Sequence, residues 1–106
     1  MGDHALAEGL AGLASRVDSL SRLADGADSR ALEALEDRLT KLVLVAIARE
    51  MDATNAQYRD AVSQVTAAIG AVGAADKKVQ KVADVITLIA KALDAAEKVI
   101  TKAAGV

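Results

Sequence analysis

The apolar residues of this chain recur every three or four positions, and no proline interrupts them anywhere in the 106 residues. Such spacing places apolar side chains on one stripe of an α-helix. Alanine, the strongest helix former, occurs 25 times. The pattern therefore predicts an all-α fold in a single helical domain spanning residues 1–106. In the first helix the stripe consists of Leu6, Leu10, Leu13, Val17, Leu20 and Ala24.

Two glycine-containing segments divide the chain into helices. Residues 25–29 include polar side chains that cap helices, with Asp28 or Ser29 as the predicted N-cap, and residues 70–75 include two glycines. Short turns between helices make neighbouring helices antiparallel. We therefore predict a helical bundle, coiled-coil-like in its spacing, of three antiparallel helices with a long central helix, at about 3–24, 29–70 and 76–104.

The predicted central helix has one point at which it can break. Residues 52–55 have the sequence Asp-Ala-Thr-Asn, and three of these four are poor helix formers. The segment contains neither glycine nor proline, and the apolar spacing continues across it. A break near 52–55 gives the alternative fold, a four-helix bundle.

The chain is apolar at seven consecutive positions from Leu42 to Ala48. In the three-helix arrangement, the first and third helices fold back and overlap beside this run, which would then have neighbours on two sides. Outside the overlap each shorter helix has one neighbour, so apolar edges remain for another chain to cover. The candidate interaction surface is accordingly Leu42, Val43, Leu44, Val45, Ile47, Val85, Leu88 and Val99.

The composition also favours association with another helical chain. Hydrophobic residues make up 53% of the chain, but only 1% is aromatic, a single Tyr58. Alanine buries little area and aromatic residues bury the most, so the core of one copy is thin. Small chains with too little to bury often assemble with partners. We therefore expect a homo-oligomer or a complex with another helical protein.

Side chains that perform acid–base or nucleophilic chemistry are scarce in this chain. His4 is the only histidine, there is no cysteine, and no Glu-x-x-His pair occurs. Catalysis and helical metal sites usually depend on such residues. We therefore predict a protein that is not an enzyme, with no catalytic, metal-binding or cofactor-binding residues, no cofactor and no small-molecule substrate.

The charges of the chain argue against one partner class and favour another. A formal net charge of −2 and one aromatic residue are not typical of nucleic-acid binding. Lys77, Lys78 and Lys81 lie near the predicted start of the last helix, where positive charge opposes the helix dipole. These three lysines are candidates for contact with an anionic partner.

The function that these features favour is a non-enzymatic helical module for protein–protein interaction or self-assembly. One alternative is a protein active at membrane or lipid surfaces, because the last helix is basic and amphipathic. Another is a small regulatory, antitoxin-like partner that folds on its target. The first residues do not resemble a signal peptide and no apolar run approaches the roughly 20 residues that cross a bilayer, so a cytoplasmic location is expected.

Overall fold

The structure is a computed structural model that describes residues 5–47, 56–77 and 81–103. These residues form four α-helices and, within the described ranges, no strand. The prediction of an all-α fold is confirmed. The helices are α1 (Ala5–Leu23), α2 (Gly26–Ile47), α3 (Ala56–Asp76) and α4 (Val82–Ala103).

The long central helix predicted from the apolar spacing is wrong, and the four-helix alternative fits the structure. Its residues belong to two separate helices, α2 with 22 residues and α3 with 21. The predicted break near 52–55 lies outside the described residues. A continuous helix would give each of its halves a single neighbour, whereas α2 and α3 each contact two other helices. The extra apolar burial outweighs the few backbone hydrogen bonds lost at two helix ends.

The four helices occupy the corners of a square, in which α1 and α4 each lie beside α2 and α3. Helices α1 and α2 form one hairpin, and α3 and α4 form the other. Leu6 contacts Tyr58 near the start of both helices, and Gly12 faces Ile69 further along, so α1 and α3 run parallel. The two hairpins are therefore docked side by side, with α2 parallel to α4 on the opposite side.

The core lies along the axis of this square and differs between the two hairpins. Most of its residues from α1 and α2 are leucines, whereas most of those from α3 and α4 are alanine, valine and isoleucine. The predicted stripe of α1 is confirmed, since five of its six residues are buried and Ala24 is half-buried. The largest fully buried side chains are Leu6, Leu10, Leu13, Leu20, Leu32, Leu39, Ile89, Leu93, Val17, Val65, Val72 and Val85.

The turn between α1 and α2 is shorter than predicted. Helix α2 begins at Gly26, three residues before Ser29, and the carbonyl oxygen of Asp25 accepts from the amides of Asp28 (3.2 Å) and Ser29 (3.5 Å). Both predicted caps therefore lie inside the helix, and the N-cap prediction is wrong. Gly26 has φ of +55°, a conformation in which an L side chain is strained. The Ser29 hydroxyl instead donates to the Ser21 carbonyl at 2.9 Å and ties the hairpin together.

The turn predicted at residues 70–75 is also wrong, because α3 continues through them to Asp76. Ala71, Val72 and Ala75 extend the buried stripe of α3 past both glycines. A glycine inside a helix costs about 1 kcal/mol relative to alanine, which this burial offsets. Asp76 is consequently the last residue of α3, and α4 begins six residues later at Val82.

Candidate interaction surface

The outer face of α2 changes from polar to apolar along its length. Asp37 and Lys41 are exposed on this face. Leu44 follows Asp37 by seven residues and so lies on the same side of the helix. In this last part of α2, Leu44 is 67% exposed, Val45 42% and Ile47 59%. These three side chains form the apolar patch, and they are the only large exposed apolar residues that adjoin one another in the described part of the chain.

The exposed leucine at the other end of the α1–α2 hairpin has different surroundings. Leu23, in the last turn of α1, is 68% exposed, about as much as Leu44. Ser19, Arg22 and Asp25 around it are polar and exposed. Single apolar residues are common on protein surfaces, whereas adjoining ones typically mark a contact site. The apolar patch is therefore the stronger candidate for a functional surface.

The structure distributes the eight candidate residues among three environments. The apolar patch contains three of them, while Leu42, Val43 and Leu88 are half-buried against the core. Val85 and Val99 lie inside the core of this chain, at 0% and 9% exposure. The overlap of two flanking helices, which was the reason for the prediction, is wrong because α2 and α3 are separate helices, each paired with its own neighbour in a hairpin. The last turn of α2 is apolar on both sides for a different reason: its inner side faces the core and its outer side faces solvent.

Two opposite charges lie next to the apolar patch on the outer face of α2. Asp37 and Lys41 are separated by one helical turn, and neither takes part in a salt bridge anywhere in the described part of the chain. Arg38, by contrast, reaches across to α4 and contacts Asp94 and Glu97. The outer face therefore carries an acid and a base that are free to pair with groups on another molecule.

The lysines predicted to contact an anionic partner follow the last residue of α3 in the sequence. Lys77 follows α3, Lys81 precedes α4, and both are exposed, while Lys78 lies outside the described residues. The amide of Lys77 donates to the Gly73 carbonyl at 3.3 Å and so continues the helical pattern of α3. A positive charge at this C-terminal end is favourable. The dipole argument made from the sequence therefore does not apply to Lys77.

A pair of carboxyl groups joins α1 to α2 and was not predicted. Burial raises the pKa of Glu36, and the negative charge of Asp18, with which it shares a hydrogen bond, raises it further. Arg22 lowers that pKa in turn and holds Asp18 in a salt bridge of 3.0 Å. Because the pair forms between two helices, helical spacing within one segment carried no signal for it. No group of three acidic, histidine or cysteine side chains that could hold a metal ion occurs among the described residues.

An open groove of about 520 Å³ runs between the start of α3 and the end of α4. Its charged lining residues include Asp60 from α3 and Lys91, Asp94 and Lys98 from α4, all of them exposed. Gln64 donates to the carboxylate of Asp60 at 2.8 Å. The groove thus presents both signs of charge to solvent without a buried polar group directed into it, and it indicates no particular ligand.

Comparisons with protein-family models, with curated proteins and with solved structures give no match for this chain. Within its described residues, none of the four helices has the length and apolar character that crossing a membrane requires. A proposal for its function therefore depends on the surfaces of the chain, of which the apolar patch is the most distinctive.

Proposed function

We propose that this protein is a non-enzymatic helical module that associates with other helices through the apolar patch. The observation that carries the proposal is the exposure of Leu44, Val45 and Ile47 within one turn of α2, at 67%, 42% and 59%. Contact with a partner would remove this apolar area from water, which is the main favourable contribution to most protein association.

The two sides of the same helical turn support this function. Ala46 is fully buried on the inner side, so the bundle is already packed at this level. Leu44 and Ile47 on the outer side are therefore not needed to complete the core. A helix that is apolar on both sides typically has neighbours on both sides. We propose that the second neighbour belongs to another chain.

The size of the patch indicates weak, concentration-dependent association. Complete burial of one valine, leucine or isoleucine side chain contributes about 1.5–3 kcal/mol. The patches of two chains together then contribute on the order of 10 kcal/mol, since these side chains are already partly covered. Association costs a comparable amount, about 4–15 kcal/mol, through lost translational and rotational freedom. Flanking polar contacts would decide the net affinity.

Replacing Leu44 by lysine tests the proposal, with Leu23→Lys as the matched control. Both leucines lie in the last turn of a helix and are about equally exposed, at 67% and 68%. Lysine is a good helix former and does not oppose the dipole at a C-terminus, so both variants should fold. We expect sedimentation velocity to show a mass that rises with concentration for the unmodified chain and for Leu23→Lys, and a monomer for Leu44→Lys.

Two results would contradict the proposal. One is an unmodified chain that stays monomeric at all accessible concentrations and binds no other helical protein. The other is an equal loss of association in Leu23→Lys and Leu44→Lys, which would indicate a general effect of added charge. Thermal melts of dilute samples show whether each variant is folded before its association is compared.

The alternatives make different demands on the molecule. A lipid-surface function would use the apolar face of α4, but Val85, Ile89 and Leu93 on that face are buried among the other helices. The bundle would have to open before α4 could bind lipid. A partner that folds only on its target would show a broad melting transition when alone, whereas the interaction module is expected to melt cooperatively.

A further inference from the structure

We infer that the partner is a second copy of this chain, packed antiparallel against the outer face of α2 with a twofold axis beside residue 39. The inference rests on the proposed function and names the occupant of the surface. Its basis is one stripe on the side of α2 that faces away from the core. On that side Arg30 is followed by four further exposed residues, which form the outer stripe: Ala34, Asp37, Lys41 and Leu44.

The spacing of this outer stripe is symmetric. Its members follow one another at intervals of three, four and three residues. Intervals of three and four are those of helices that pack along a coiled-coil seam. Because the series reads the same in both directions, a twofold axis at its centre places every member opposite another member. Such a self-complementary patch is what a twofold dimer requires.

The chemistry of the outer stripe agrees with this symmetry. The axis sets Asp37 of one copy opposite Lys41 of the other, and this pair forms twice. It also sets the large Leu44 opposite the small Ala34, again twice. Asp37 and Lys41 take part in no salt bridge in the described part of the chain, so pairing with a second copy breaks no existing interaction.

A competing register places the axis beside Leu44, so that leucine meets leucine. Of the described residues of α2, only 41–47 would then overlap. The axis beside residue 39 gives an overlap over residues 31–47. The competing register also places Lys41 against the partner's Ile47 and gives Asp37 no counter-charge among the described residues. Over the described part of α2, the length of contact and the pairing of charges both favour the axis beside residue 39.

Charge reversal provides the decisive experiment. In the Asp37→Lys variant each copy carries two lysines on the seam, which is the contact between the outer stripes of the two copies. In the Lys41→Asp variant each copy carries two aspartates there. Two copies of the same variant therefore repel each other. We expect the dissociation constant of each variant alone to rise about tenfold or more. An equimolar mixture of the two, in which every pair is opposite in charge, should associate at least as tightly as the unmodified chain. Sedimentation velocity and a fluorescence binding assay measure the dissociation constants of the single variants and of their mixture.

Matched charge controls lie on α4, away from the seam. Asp84→Lys and Lys91→Asp change the net charge by the same amounts, at exposed positions without salt bridges in the described part of the chain. Neither is expected to alter association, alone or mixed. The double variant Asp37→Lys with Lys41→Asp should recover the affinity of the unmodified chain, because both seam pairs are restored with exchanged signs.

Cysteine pairs test the register directly, because the chain contains no cysteine of its own. The variant carrying Ala34→Cys and Leu44→Cys should form disulfide-linked dimers under mild oxidation. Leu44→Cys alone should not, because an axis beside residue 39 keeps the two introduced thiols far apart. Efficient linkage of the single variant Leu44→Cys would place the axis beside Leu44 and overturn the proposed register.

The outcomes separate this inference from the proposed function. In one outcome the unmodified chain associates and Leu44→Lys abolishes this association, but Asp37→Lys and Lys41→Asp behave like the α4 controls. The apolar patch is then an interface, and the proposed antiparallel pairing of the two α2 helices is wrong. The seam is also excluded if the mixture of the two charge variants fails to recover affinity. If the unmodified chain remains monomeric but binds anionic vesicles or another helical protein through Leu44, the second copy is excluded as the partner.

Discussion

The two hairpins of this protein meet along two seams that differ in their chemistry. Along the α1–α3 seam, the helices approach so closely that a Cβ atom on Gly9 would lie 3.1 Å from Cγ1 of Val65. The hydroxyl of Tyr58 accepts a hydrogen bond of 3.1 Å from the backbone amide of Leu6, which is fully buried. That amide lies in the first described turn of α1, and amides in the first turn of a helix usually need an acceptor from outside the helix.

Along the α2–α4 seam, the helices are in less extensive contact. Arg38 spans it and contacts Asp94 at 3.4 Å and Glu97 at 3.1 Å. All three side chains are about half exposed or more, and salt bridges of this kind contribute little in water. The comparison indicates that the α1–α3 seam holds the hairpins together. Helix α2 is bound mainly to α1, which leaves its outer face available to a partner.

The largest expected effect comes from filling the close seam. In Gly9→Leu the new side chain has no space beside Val65, and overpacking of this kind costs about 1–3 kcal/mol. Chemical denaturation of the variant should show this loss as a lower midpoint with an unchanged slope. The matched control is Gly12→Ala, whose Cβ would meet Cδ1 of Ile69 at an ordinary 3.9 Å.

We expect the control Gly12→Ala to raise the free energy of unfolding, whereas Gly9→Leu lowers it. Alanine is favoured over glycine in a helix by about 1 kcal/mol, and the space beside Gly12 accommodates a methyl group. If Gly9→Leu and Gly12→Ala were both neutral, the α1–α3 seam would be looser than the distance between Gly9 and Val65 implies.

A loss of at most the same size is expected from Tyr58→Phe. The ring still fills its place in the core, but the amide of Leu6 loses the oxygen that accepts its hydrogen bond. Leaving a buried donor unpaired costs about 1–3 kcal/mol. Chemical denaturation measures the total, and faster amide hydrogen exchange at Leu6 would locate the effect at the start of α1. Unchanged stability and exchange would show that the hydroxyl is not needed at this seam.

The smallest effect is expected at the open seam. Arg38→Ala should lower the free energy of unfolding by about 1 kcal/mol or less, because its partners are exposed to water. The difference should shrink further at high salt, which screens exposed charges. A loss of about 2 kcal/mol or more, insensitive to salt, would show that the two seams are of comparable strength.

The apolar spacing predicted the buried stripe of α1 better than it predicted where the helices end. Each stripe is a local property, since side chains three and four residues apart lie on one side of a helix. Helix ends depend on what the neighbouring segments bury. The stripe of α3 passes both of its later glycines without interruption, and for that reason the predicted turn at 70–75 is helix.

The candidate interaction surface was predicted in part, but from a three-helix arrangement that the structure does not have. The apolar run in α2 is visible in the sequence, and its consecutive apolar positions show that one helix turn is apolar all round. That Leu44 faces solvent, while Val85 and Val99 face the core, follows only from the packing of four helices. The carboxyl pair of Asp18 and Glu36 was missed for the same reason, because it joins two helices.

The amino-acid sequence by itself determined that this protein is helical and which side of each helix is apolar, because helix propensity and side-chain spacing act within a few residues. The tertiary structure decided that the middle of the chain forms two helices, that the glycines at 70 and 73 lie inside one, and that α2 keeps three apolar side chains on its outer face. The physical reason is that burial is shared between helices distant in sequence. Packing two hairpins against each other removes more apolar area from water than a longer helix or a glycine turn can offset.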